Sequence, residues 1–281
     1  MKVYKSFVSI ILVFCLLLIP TSATVEVNAQ ASNLSVHFID VGQGDATYIK
    51  TPSGQNILID AGNKGKGDLV VAYLKKQKVK TIDVLISTHP DADHVGGLDE
   101  VVRAFHVKNV YAPRVSHTTQ AYKDFLMAVK QKNLKIKTAK AGVELPLKDV
   151  KASFIAPVKT YSKSDLNNWS AVLKVTYKKN SFLFTGDAEE RAEKDMIAAN
   201  KLSKVDVLKV AHHGAKEATT PGFLTKTKPK YAIISVGSNN RYKHPTRETL
   251  SRLTKSGSKV YRTDKSGTIV VTSNGSKITI K

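Results

Sequence analysis

The stretch STHPDADHVGG, residues 87–97, sets two histidines and two aspartates within six positions: His89, Asp91, Asp93 and His94. Four such side chains repel one another or stand idle in a tight turn unless a cation gathers them. Imidazole and carboxylate together suit Zn, Mn or Fe rather than Ca or a purely soft metal. Taken singly, a histidine at a strand end caps a hydrogen bond and an aspartate N-caps the following helix. All four in H-x-D-x-D-H order point instead to a metal site.

The elements around this turn must position it. The β-branched run IDVLIST (82–88) leads into it, and a helix from Leu98 to Phe105 leads out. Upstream, LSVHFIDV (34–41), ATYIKT (46–51) and QNILIDAG (55–62) read as three strands separated by GQG and PSG turns, and DLVVAYLKKQKV (68–79) has helical periodicity. Downstream, KNVYAP and QAYKDFLMAVKQKNL give a strand and a helix. KASFIAP, SAVLKVTYK and FLFTGD return to strands, with KKNS as a hairpin turn. AEERAEKDMIAAN reads as a helix with acidic residues at its N-terminal end, as the macrodipole favours. VDVLKVA and YAIISV are strands, PTRETLSRLTK a helix, and SNGS a terminal hairpin. No linker-like segment divides the pattern, which predicts one α/β domain whose two sheets share a core.

At this point the chain resembles a known family. H-x-D-x-D-H after a strand, with Gly96–Gly97 opening the next helix, is similar to the metallo-β-lactamase signature H-x-H-x-D-H, with Asp91 standing where the second histidine usually sits. FIDVGQGDA, ILIDAG, FLFTGD, LKVAHHG and SVGSNNRYKHP extend the likeness to the soluble hydrolase-like domain of ComEC-type competence proteins, over residues 34–281. The resemblance implies an α/β fold, a four-layer αββα sandwich. It implies His89, Asp91, Asp93 and His94 as metal ligands, Asp187 of TGD as the bridge between two divalent ions (Zn or Mn), and His212 as a further ligand with His213 the alternative. Many members carry another metal-binding histidine before the strand that leads into TGD. Here that region, DLNNWSAVL (165–173), has none, and Asn168 and Ser170 match the competence-type branch. One metal is thereby left short of nitrogen ligands, which makes Mn a competitor to Zn.

Smaller expectations attach to other residues. Asp60 is expected to orient a ligand or else to cap its turn, and Asp40 and Asp45 flank the VGQG turn, near the metal edge or merely stabilising that turn. Asp93, His244 and Lys243 are the candidates for catalytic proton handling or phosphate contact. His37, His106 and His117 read as structural or surface residues. The implied reaction is hydrolysis by a water deprotonated between the two metals. A phosphodiester of nucleic acid is the leading substrate. A small ester, thioester, lactone or β-lactam is the rival, and a non-catalytic polyanion-binding module the third reading.

Composition leaves two readings open. Net charge is +21 over 281 residues, with lysine runs at 75–80, 130–140 and 225–230, which suits a polyanionic partner (nucleic acid, a cell-wall polyanion or anionic lipid) and equally a solvated, wall-compatible surface. Lys2 and Lys5 precede the apolar run Phe7–Ile19, and VNA (27–29) offers a cleavage site. Residues 1–29 are therefore expected to be a signal peptide and 30–281 the mature domain, a secreted monomer without membrane association. Without cleavage the domain would stay on the outer face of the envelope. Cys15 is the only cysteine, so the mature domain lacks thiolate chemistry and disulfides.

Overall fold

Alternation of side chains along the strands builds the architecture. In the computed structural model, which describes residues 1–3 and 33–281, the strands β1 (Leu34–Phe38), β2 (Thr47–Lys50) and β3 (Asn56–Ile59) form an antiparallel meander. The expected signal peptide lies outside the described residues. α1 (Gly67–Lys76), β4 (Thr81–Ile82), β5 (Val84–Ile86), α2 (Ala92–Val95), α3 (Leu98–Ala104), β6 (His106–Val107), β7 (Val110–Ala112), α4 (Gln120–Gln131) and β8 (Ile136–Thr138) complete the first half. The second half holds β9 (Lys151–Phe154), β10 (Leu173–Tyr177), β11 (Asn180–Phe184), α5 (Glu190–Ala198), β12 (Val207–Lys209), α6 (Pro221–Thr227), β13 (Tyr231–Ile234), α7 (Arg247–Lys255), β14 (Lys259–Arg262) and α8 (Thr263–Ser266). β15 (Ile269–Ser273) and β16 (Ile278–Ile280) return to the first sheet.

One large sheet runs β16-β15-β1-β2-β3-β5-β7-β8 and a second β14-β13-β12-β11-β10-β9, while β4 and β6 pair as a small two-stranded sheet. Ile57 and Ile59 face the second sheet, where they join Phe154, Phe182 and Phe184, and Phe38 and Phe184 approach with ring centroids 6.1 Å apart. The intervening Leu58 faces the opposite way, toward Val70 and Leu74 of α1, Val101 of α3 and Phe125 of α4. On the second sheet Leu183 likewise faces outward, toward Met196, Phe223 and Leu253 of α5, α6 and α7. The period of two thus sorts each strand between an inter-sheet core and a helix-covered face. The result is the αββα sandwich, and each fully buried Phe or Leu contributes about 1.5–3 kcal/mol.

The topology decides where chemistry can sit. β3, β5 and β7 run parallel, as do β11, β12 and β13. The loops leaving their C-terminal ends carry Asp60, residues 87–97, Asp187, His212–His213 and His244. Ala171 N–H donates to Thr88 O at 2.9 Å, joining the two sheets at that edge. Among the described residues no helix is long and apolar enough to cross a membrane.

Candidate metal centre

Backbone contacts bring the loops together before any side chain does. Asp45 N–H donates to Asp93 O at 3.1 Å, so the GQGD turn lies directly on the 87–97 turn. Gly44, in a left-handed conformation at φ +135°, has no room for a Cβ because the Asp93 carbonyl occupies that space. This contact explains why GQG and HPDADH belong together.

Asp187 is the point of convergence. Its Oδ2 lies 3.2 Å from His94 Nε2, 3.6 Å from His213 Nε2, 3.7 Å from His212 Nε2 and 4.0 Å from His89 Nε2. Asp91 Oδ2 stands 3.4 Å from His89 Nε2, and Asp93 Oδ2 stands 3.3 Å from His213 Nε2. Two groups therefore assemble around Asp187, one of His89 and Asp91, the other of Asp93, His94 and His213.

The opposite ring nitrogens are already engaged. His94 Nδ1 lies 2.9 Å from Asp60 Oδ2, His213 Nδ1 lies 2.9 Å from Ser235 O, and His89 Nδ1 lies 3.1 Å from Thr88 Oγ1. Thr88 passes its own hydroxyl proton to Asp60 Oδ2 at 2.6 Å, and its N–H donates to Asp60 Oδ1 at 2.8 Å. Since Ser235 O only accepts and Asp60 takes the Thr88 protons, His213 and His94 keep a proton on Nδ1, which leaves Nε2, the atom facing Asp187, as the one that would ligate a metal once its own proton is displaced.

The donor set fits divalent metal ions. Nε2 of His89, His94 and His213 and Oδ1 of Asp187 are buried and make no hydrogen bond, a costly arrangement unless an ion takes their lone pairs. His89, His94 and Asp187 can bring ligand atoms within 4.8 Å of one another, as can Asp93, His94 and His213. The electrostatics demand positive charge. Burial opposes a charged His94, yet Asp187, Asp45 and Asp60 outweigh it and raise its pKa well above the ordinary imidazole value. Burial likewise opposes a charged His213, but Asp187, Asp45 and Asp93 push it up to about 10. Asp187 is held well below the carboxylate range by His94, His213 and His212 despite its burial. Protons on the imidazoles balance the carboxylates, and metal binding would displace them.

The remaining expected residues divide. His213 is 1% exposed and deep among the carboxylates, whereas His212 is partly exposed and its Nδ1 lies 3.1 Å from Glu189 Oε1. Of the two, His213 is the one enclosed by the carboxylates, although both Nε2 atoms lie at similar distances from Asp187 Oδ2. Strand alternation would separate their rings, but both residues are left-handed, at φ 47° and 52°, which turns both toward Asp187. Asn168 and Ser170 serve the backbone. Asn168 Oδ1 accepts from Glu189 and Ala192 N–H at the start of α5, and Ser170 Oγ accepts from Asp187 N–H at 3.0 Å. Asp45 is buried between His213 and Lys209, while Asp40 accepts from Gly42 N–H at 3.0 Å and only shapes its turn. His244 lines the recess over Asp187, with its ring centroid 5.4 Å from that of His212. Lys243 does not line it, because the exposed tip of its loop places Tyr242 there instead.

Sequence reasoning passes over Lys209 and Tyr242. Lys209 is 2% exposed, forms an ion pair with Asp45 Oδ2 and donates to Gly186 O at 3.4 Å. The signal is a lone lysine inside the apolar strand VDVLKVA.

Comparison with known proteins identifies the family. Residues 39–238 match the Metallo-beta-lactamase superfamily. The chain is 32% identical over 256 residues to ComE operon protein 3 of Bacillus subtilis, covering 85% of this chain and 33% of that protein. It is 32% identical over 241 residues to Recombination protein 2 of Haemophilus influenzae, covering 84% and 28%. The chain thus spans about a third of the length of these relatives. Among solved structures, the metallo-beta-lactamase fold protein YhfI of Bacillus subtilis superposes with a TM-score of 0.54 at 12% identity, covering 88% of this chain and 100% of that one. A putative metal-dependent hydrolase of Parabacteroides distasonis gives 0.52 at 15%, covering 84% and 95%. These two likenesses concern the fold alone. The converging imidazoles and carboxylates and the match over residues 39–238 place the chain in the metallo-beta-lactamase superfamily of metal-dependent hydrolases.

Proposed function

We propose that this protein is an exported phosphodiesterase that cleaves nucleic acid with two divalent ions, Zn or Mn. The observation that carries the reading is the pair of ligand groups sharing Asp187 at the end of an open, polar groove. Such ions, when bound, supply charge screening and a water of lowered pKa. His89, Asp91 and Asp187 would hold one, and Asp93, His94, His213 and Asp187 the other. Asp60, Thr88 and Ser235 O keep the imidazoles in the ligating orientation. His244 stands at the mouth with Nδ1 buried and unpartnered, placed to exchange a proton with the leaving oxygen.

Substrate class follows from shape and charge. The recess over Asp187 holds about 190 Å³ and shares its rim with a groove of about 600 Å³ bearing carboxylates, amides and an arginine. A small ester or β-lactam calls for a closed apolar pocket. An extended anion suits an open polar one and uses the net charge of +21. The similarity to competence proteins adds support, as does the leader-like sequence of residues 1–29 for action outside the cell.

The test is hydrolysis of single- and double-stranded DNA, bis-p-nitrophenyl phosphate and a β-lactam after chelation, with Mn or Zn restored. Metal-dependent phosphodiester cleavage is expected, lost in His89→Ala and Asp187→Asn. Intact phosphodiesters would overturn the reading. Salt-sensitive DNA binding without turnover would then assign a binding module, and β-lactam turnover a small-substrate enzyme.

A further inference from the structure

The loop between β13 and α7 carries three consecutive exposed residues, Arg241, Tyr242 and Lys243. Its tip is braced from within. Asn240 Nδ2 donates to Gly237 O at 3.0 Å and to His244 O at 2.6 Å, and Asn240 Oδ1 accepts from His244 N–H at 3.0 Å. Its base rests on the loop after β1, where Gly237 N–H donates to Gln43 Oε1 at 3.3 Å. A Cβ on Gly237 would collide with the backbone of Gln43, so the two loops are in direct contact. The tip is therefore presented in a fixed position.

Arg241 and Tyr242 form a unit on that tip. The guanidinium lies 4.9 Å from the Tyr242 ring centroid, and Arg241 Nη2 donates to the Tyr242 hydroxyl at 2.7 Å. Tyr242 in turn stacks on His244, with centroids 5.7 Å apart and planes 25° from parallel. The hydroxyl uses one of the five guanidinium N–H donors and leaves the rest for an anion. Both residues line the groove of about 600 Å³, which also runs past Asp91 and Asp93. Tyr242, Asp91, Asp93 and Gln43 line the recess over Asp187 as well. Where the two spaces meet, Gln43 Nε2 is a buried donor with no partner. A strand reaching Asp187 through this groove passes Arg241 outside the metal centre and Gln43 at its threshold.

We infer that Arg241, pre-ordered by Tyr242, grips the phosphate next to the scissile one and so makes the site selective for polynucleotide strands over isolated diesters. This rests on the phosphodiesterase reading. The metal centre needs one phosphodiester, and the groove supplies a cation for a second. A planar fork held in place loses little side-chain freedom on binding, so its affinity for phosphate is spent on selection. Tyr242 is a positioning residue that acts through Arg241.

The test compares the wild type with Arg241→Ala, Arg241→Lys and Tyr242→Phe on a single-stranded oligonucleotide and on bis-p-nitrophenyl phosphate, with the preferred metal added. Arg241→Ala should raise KM for the oligonucleotide about tenfold and flatten the salt dependence of log(kcat/KM) by roughly one unit of slope. The ratio of kcat/KM for oligonucleotide over bis-p-nitrophenyl phosphate should fall by a similar factor. Arg241→Lys should recover part of the salt slope but not the KM, and Tyr242→Phe should raise KM with kcat held. Equal losses on both substrates, or unchanged KM and salt slope in Arg241→Ala, would overturn the inference while leaving the phosphodiesterase intact. Failure of the wild type to cleave any phosphodiester would overturn the phosphodiesterase reading itself, and this inference with it.

Discussion

His94 and Asp60 meet at 2.9 Å, Nδ1 to Oδ2, with both side chains at 0% exposure. Asp60 also takes the hydroxyl and amide protons of Thr88, whose Oγ1 lies 3.1 Å from His89 Nδ1. One carboxylate therefore fixes two imidazoles, one directly and one through a hydroxyl. Asp60→Asn can accept at only one atom and presents an N–H to the other donors. We expect it to lower metal affinity about 10–100-fold. Competition against a chromophoric chelator reads this directly, and an affinity equal to wild type would show that Asp60 is dispensable for ligation.

The unequal settings of the paired histidines give a second expectation. His213 is enclosed by Asp45, Asp93 and Asp187, while His212 faces Glu189 and His244 at the mouth. His213→Ala should lose about one equivalent of metal after dialysis, whereas His212→Ala should retain both. Elemental analysis of the two proteins decides, and the reverse ranking would return the ligand role to His212.

Much of this centre is legible in the sequence because strand-end turns concentrate their ligands. His89, Asp91, Asp93 and His94 fall in six positions, and Asp187 closes the apolar run FLFTGD. The inward turn of both His212 and His213 is not legible. It depends on two successive left-handed residues, each costing about 1–2 kcal/mol, held by His212 N–H on Gly186 O at 3.1 Å and Ala215 N–H on His212 O at 2.8 Å. The second is a local turn, but the first comes from tertiary packing against the loop after β11. Lys209 is hidden for a similar reason. A lone lysine in a strand suggests a solvated face, but β12 lies inside its sheet with neighbours on both sides. In the fold, α6 escapes because PGFLTKT is too short to show helical periodicity, and the edge strands β8 and β14 because their residues are not consistently buried.

Lys209 leads to a stability prediction. With Lys209→Met, the buried Asp45 carboxylate loses its ammonium partner, and removing one member of a buried pair costs about 3–5 kcal/mol. Urea unfolding in the presence of a chelator should show a loss in that range, and the double variant Lys209→Met/Asp45→Asn should recover part of it. A single variant as stable as wild type would mean that His94 and His213 alone neutralise Asp45.

Glu193 carries the last prediction, a pH dependence remote from the metal ligands. It is 1% exposed on α5 and accepts from Thr219 N–H at 2.6 Å and Thr220 N–H at 2.9 Å, tying α5 to the start of α6. Burial pushes its pKa up from 4.5 to about 7, against the pull of those two amides. Between these values the folded chain keeps a proton that the unfolded chain has released, so stability falls as pH rises through the window and the cost is complete above pH 7. Its size is on the order of 3 kcal/mol. Glu193→Gln carries a constant penalty for one weakened amide contact but has no titration. The wild type should therefore lose stability relative to Glu193→Gln between pH 4.5 and 7, measured by denaturant unfolding in chelator. A difference that stays constant across that range would show that the two amides hold Glu193 ionised throughout.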